Sequence, residues 1–141
     1  MSKVISLRLK DDQMQRLERA ARRLGRTPSE AAALLLEESL RQREFAFIEF
    51  RDSPVGRQAY LQGTRLTVWQ VVSLARIYGG DVAQTAAHLE LPAVYITAAL
   101  RYATAYPAEI DAAIADNACT PADLTQLIPN LEVIEVDAAA P

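Results

Sequence analysis

The chain opens on a short alternation. In Val4-Ile5-Ser6-Leu7-Arg8-Leu9, the residues Ile5, Leu7 and Leu9 fall on one side of an extended backbone and Val4, Ser6 and Arg8 on the other. The period then changes. From Asp11 to Leu24, the apolar residues Met14, Leu17, Ala21 and Leu24 recur at helical spacing, and Arg16, Arg19, Arg22 and Arg23 line other faces. Gly25 stands where a left-handed helix stop belongs. Thr27-Pro28-Ser29-Glu30 reads as a helix start: Thr27 as N-cap, Pro28 at the first helical position, Glu30 closing a capping box. The second helix continues through Ala31, Leu34, Leu35 and Leu40 to about Arg43.

A single strand leaves its N–H and C=O groups unpaired, and no second strand follows within residues 1–44. The nearest partner is the same strand of a second chain. The pattern therefore predicts an antiparallel two-stranded ribbon across a two-fold axis.

Beyond residue 44, the aromatic-rich Phe45-Ala46-Phe47-Ile48-Glu49-Phe50 reads as a strand and Ser53-Pro54-Val55-Gly56 as a turn. Arg57 to Leu61 completes a hairpin. After Gly63-Thr64-Arg65, Thr67 can cap a helix from Val68 to Tyr78, which Gly79-Gly80 ends. Asp81 caps a short helix, Val82 to Leu89. Pro92 starts a third that reaches about Ala105, and Pro107 opens a last one, Ala108 to Ala115. A short helix, a tight turn and a longer helix suggest helix-turn-helix. In the tail, Thr120-Pro121 can begin a short helix, and Leu131, Glu132, Val133, Ile134, Glu135 and Val136 form an imperfectly alternating acidic strand. Three segments follow: 1–44, 45–115 and 116–141. The expected class is mainly α with short strands, an N-terminal swapped dimer and a C-terminal hairpin with helix-turn-helix.

Charge sharpens this division. Residues 1–44 carry ten Lys/Arg and seven Asp/Glu; residues 116–141 carry five acids and no base. The net charge of −3 hides a basic head and an acidic tail, which suit different partners. The single Cys119 excludes an internal disulfide framework, and one His leaves almost nothing for a zinc site. No apolar run is long enough to span a bilayer, and the first residues lack a signal-peptide core. The expectation is a cytoplasmic protein without cofactor or metal. No nucleophile–base pair, patterned carboxylate pair or phosphate-binding glycine loop points to an enzyme.

Strand, helix and capped helix over residues 3–43 resemble the ribbon-helix-helix family of DNA-binding proteins, which includes many plasmid-copy and antitoxin repressors. The resemblance implies a ribbon that enters the major groove with Val4, Ser6 and Arg8 facing the bases. The chemistry agrees. Arg can donate twice to guanine, Ser can pair with a donor or an acceptor, and Val can pack on a thymine methyl. Lys3, Thr27 and Ser29 are the candidate phosphate contacts, the last two at a helix N-terminus. Residues 47–115, through Gly63-Thr64-Arg65 and Ala98-Ala99-Leu100-Arg101-Tyr102, resemble a small prokaryotic antitoxin domain family in which a Gly-Thr-Arg turn precedes a helix-turn-helix.

Together the two resemblances imply the antitoxin of a type II toxin–antitoxin system. It would be a homodimer that represses its operon by binding operator DNA and neutralises a cognate toxin, a ribonuclease of the PIN-like type. The alternatives are a stand-alone regulator whose second domain senses a partner or ligand, and a structural adaptor. The second module offers few cations, so a dimerising or toxin-facing role is favoured over base reading, with Arg65, Tyr95 and Arg101 as its candidate surface. Arg65 also fits a turn-stabilising ion pair, Trp69 the core, and His88 the surface or core edge. Residues 131–136 are the candidate toxin-binding strand. The competing reading folds that strand back onto the hairpin.

Overall fold

The computed structural model describes residues 1–118. The tail strand 131–136 and Cys119 lie outside the described residues. The described chain is mainly helical with one two-stranded antiparallel hairpin: α1 (Asp11–Leu24), α2 (Pro28–Glu44), β1 (Ile48–Ser53), β2 (Gly56–Leu61), α3 (Val68–Ile77), α4 (Val82–Leu89), α5 (Ala93–Ala105) and α6 (Pro107–Asn117).

Local chemistry sets most boundaries. Asp11 and Asp12 sit at the positive end of α1, and Gly25 ends it at φ 64°, its N–H directed to the last carbonyls. At the start of α2, the Glu30 N–H donates to Thr27 Oγ1 and the Thr27 N–H to Glu30 Oε2, both at 3.2 Å. This is the reciprocal box expected from the sequence. Thr27→Ala should therefore cost about 1 kcal/mol in urea unfolding, with Thr27→Ser nearly neutral. Thr67 caps α3 with the same kind of box, through Gln70, and the Asp81 carboxylate caps α4 by accepting from the Gln84 N–H. Gly79 and Gly80, both at positive φ, end the turn after α3.

The first strand departs from expectation. β1 starts at Ile48 rather than Phe45 and runs on to Ser53. The last turn of α2 continues through Glu44. Phe45 is its C-cap and lays its ring edge-on against Tyr102 and Tyr106, at 5.5 and 5.7 Å between centroids. Phe47 takes φ 63°, a left-handed turn that re-aims the chain into the sheet. The strands pair from Ile48 opposite Leu61 to Ser53 opposite Gly56, closed by a two-residue Pro54-Val55 turn. Ser53 Oγ donates to the Gly56 carbonyl at 2.7 Å, and Gly56 takes φ 112°.

The core lies under the hairpin. Leu61, Val68, Val71, Ile96, Ala99 and Tyr102 are wholly buried, with Ile48, Val72 and Ile110 almost so. α3 packs on both α5 and α6, and α4 on α5. α1 packs on α2, where Ala21 and Ala31 are buried. α2 also packs on β1, so this one helix touches both the N-terminal hairpin of helices and the hairpin of strands.

Candidate functional site

Residues 1–10 carry no regular element and every one of them is exposed. Lys3, Val4, Ser6 and Arg8 all point into solvent, and so does the apolar set of the alternation: Ile5 is 76% exposed and Leu7 74%. Neither face of the segment is covered by the chain's own residues among those described. On the helices, Met14, Leu36 (52% exposed) and Leu40 (46%) are uncovered as well. A monomer rarely leaves so many large apolar side chains in water.

Thr27 and Ser29 are exposed at the start of α2, but the capping box uses part of what they offer. The Thr27 N–H and Oγ1 lone pair are engaged with Glu30, and Pro28 has no N–H. The amide and hydroxyl of Ser29 remain for an anion.

The three candidate residues of the second module do not form one site. Tyr95 is half-buried, its ring 4.7 Å from Phe47. Arg101 is exposed, its guanidinium carbon 5.9 Å from the Phe45 ring centre. A shallow hollow of about 150 Å³ lies between the Phe45–Phe47 corner and the Val94, Thr97, Ala98 and Arg101 face of α5. Arg65 is not among its lining residues. Arg65 is exposed and makes no ion pair among the described residues, which corrects the turn-stabilising role. The hydroxyl of Thr64 holds that turn instead: it donates to the Leu61 carbonyl at 2.9 Å and accepts from the Leu66 N–H at 3.1 Å.

A larger groove, about 520 Å³, runs between α2, the hairpin and α6. Sequence reading missed it. Its floor and walls carry Leu34, Phe50, Val55, Trp69 and Ile110, and two ion clusters border it. In the first, Arg41 Nε donates to Glu37 at 2.8 Å, and Arg41 Nη1 donates to Tyr102 Oη at 2.8 Å and to Glu109 at 3.0 Å. Tyr102 Oη donates in turn to Glu109 Oε2 at 2.6 Å. The Arg41 guanidinium also lies 3.7 Å from the Tyr106 ring centre. In the second, Arg57 makes a two-pronged pair with the nearly buried Glu38, both bonds 2.8 Å, and a longer bond to Asp52. Trp69 packs on the core as expected, yet its Nε1 is buried with no partner among the described residues. His88 is exposed and bonds Tyr78 Oη through Nδ1 at 2.7 Å.

These surroundings shift three groups. Burial, then the hydrogen bond and negative charge of Glu109, push the Tyr102 phenol well above its usual value, against the opposing pull of Arg41. Burial works against the charge of Arg41, but the bonds from Glu37, Tyr102 and Glu109 outweigh it and hold the guanidinium more firmly protonated. Bonds to Glu38 do the same for Arg57 against its burial. The folded-state value of Tyr102 is raised, so its contribution is intact below the ordinary tyrosine value of about 10 and fades as pH climbs above it. Urea unfolding should therefore weaken above about pH 10, and Tyr102→Phe should flatten that alkaline loss while leaving neutral-pH stability within about 1–2 kcal/mol.

Among the described residues, no group of His, Cys, Asp and Glu is placed to hold a metal ion, and no helix is long and apolar enough to cross a membrane. No protein-family model matches the chain, and neither a curated protein nor a solved structure matches it significantly.

Proposed function

We propose that the protein is a homodimeric antitoxin that represses its own operon through an N-terminal ribbon and engages a cognate toxin through its second module and tail. What supports the DNA-binding half is one observation. The alternating segment ahead of α1 is exposed on both faces, with Ile5 and Leu7 three-quarters in water. A twin segment from a second chain pairs the open backbone groups and covers the apolar face at once. Each Ile or Leu so buried contributes about 1.5–3 kcal/mol.

The period of two also restricts the register. Residues opposite each other in an antiparallel pair share a face, so Val4, Ser6 and Arg8 must face one another's copies and Ile5, Leu7 and Leu9 theirs. The two-fold axis then passes through Ser6 or Leu7. Either way, two copies of Ser6 and Arg8 stand together on a ribbon of a width the major groove admits. Lys3 and the amide and hydroxyl of Ser29 flank it as phosphate contacts.

The antitoxin half rests on the resemblance of residues 47–115 to an antitoxin domain and on the acidic tail; a PIN-like ribonuclease is the toxin class this implies. The test has two arms. In anisotropy titrations with the DNA upstream of the protein's own reading frame, Arg8→Ala should cost about 1–3 kcal/mol per bidentate contact and relax base preference. Binding that Arg8→Ala leaves unchanged contradicts the ribbon reading. Co-expression with the neighbouring reading frame should yield a stable complex; its absence removes the neutralising role.

A further inference from the structure

The groove between α2, the hairpin and α6 has the anatomy of a docking surface, and we infer that it receives an amphipathic, cationic segment of a partner protein. Its floor is apolar, from Leu34, Phe50, Trp69 and Ile110, and among the described residues it is open to solvent. At its mouth Val55, on the tip of the hairpin, is 79% exposed. Apolar floor with charged rim is the arrangement of protein interfaces, and a helix laid into a groove is a recurring way of filling one.

The rim selects the sign of the occupant. Arg41 is shared between the carboxylates of Glu37 and Glu109. Arg57 is shared between those of Glu38 and Asp52. The first cluster thus holds one guanidinium and two carboxylates and leaves a surplus negative charge on the groove; in the second, Arg57 and Glu38 line the groove as a neutral pair, and Asp52 lies outside the lining. The guanidiniums are already committed, so an acidic segment meets repulsion with no cation available to it. A Lys- or Arg-bearing segment instead meets the outer edges of Glu37 and Glu109, whose side chains are 50% and 47% exposed. A small polycation satisfies the charge but leaves Val55 and the floor wet, so the apolar half of the groove calls for apolar side chains beside the cations. This names the chemistry of the partner in the reading above, and it makes no use of the ribbon.

Trp69 is the protein's single tryptophan and lines the groove, so its emission reports occupancy directly. The experiment titrates the full-length protein with a short amphipathic peptide of Leu and Lys, its Leu and Glu counterpart, and spermidine, none of which contains tryptophan. A saturable Trp69 shift is expected with the Leu/Lys peptide, about tenfold weaker binding with the Leu/Glu peptide, and no shift with spermidine. Val55→Ser, an exposed position that the fold does not need, should weaken the Leu/Lys response at unchanged circular dichroism. Ala113→Arg, which places a cation on the α6 wall, should abolish it. Absence of a saturable response to the Leu/Lys peptide overturns the inference. So does an equal response to the Leu/Glu peptide, or one reproduced by spermidine. Emission that changes with protein concentration alone would give the groove to a second copy and overturn it as well. DNA binding is not read in any arm, so failure here is distinct from failure of the ribbon.

Discussion

Replacing Tyr102 with alanine is expected to lower folding stability by about 3–5 kcal/mol, the range for removing a large ring from a closed core. The ring is wholly buried and touches Phe45, Phe50 and Tyr106. Its hydroxyl joins Arg41 of α2 to Glu109 of α6. The substitution therefore opens a cavity and removes the hydroxyl bridge, leaving the 3.0 Å bond as the link between Arg41 and Glu109 while Arg41 keeps its bond to Glu37. Tyr102→Phe separates the two effects, because it keeps the ring and removes only the bridging hydroxyl. Urea unfolding of both variants reads the difference. A loss below about 1 kcal/mol for Tyr102→Ala would mean that the ring is not the hub on which α2, the hairpin and α6 meet.

Leu7→Asp should convert the protein from dimer to monomer and abolish specific DNA binding while its circular dichroism stays unchanged. Within one chain Leu7 is 74% exposed and carries no packing, so a monomeric protein would not register the change. In a ribbon, the substitution puts a carboxylate on the covered face of both strands and sets like charges close together across the two-fold axis. Sedimentation reads the assembly and anisotropy the DNA. Ser6→Ala, on the opposite face, should leave the dimer intact and alter only base preference. A Leu7→Asp protein that binds DNA like the wild type would show that the alternation has no dimeric role.

The helices were legible because short-range chemistry encodes them. Gly25, Thr27 with Glu30, Thr67 and Asp81 each sit where a capping group must sit, and α1 and α4 occupy the expected residues. The Phe45–Phe50 stretch was misread for a physical reason. A short apolar run has no period that separates helix end from strand, and the choice is made by tertiary contact. Phe45 turns inward to Tyr102 of α5 and to Tyr106 just after it, which holds it at the end of α2. The groove was invisible for a related reason. Glu38 and Arg41 interrupt the apolar stripe of α2, a signal that could have been noticed, but Arg41 finds Tyr102 and Glu109 at separations of 61 and 68 residues. No local pattern carries such a pairing. Arg65 shows the converse: a conspicuous residue in a conspicuous turn whose geometry is held by its neighbour, Thr64.

As proposed above, the exposed alternation before α1 is one half of a structure completed by a second chain. Sedimentation equilibrium of the wild-type protein at micromolar concentration tests it most directly. A mass of twice 15.5 kDa is expected for the wild type, falling to 15.5 kDa in Leu7→Asp. A wild-type mass of 15.5 kDa, or a dimer that Leu7→Asp leaves intact, would contradict it.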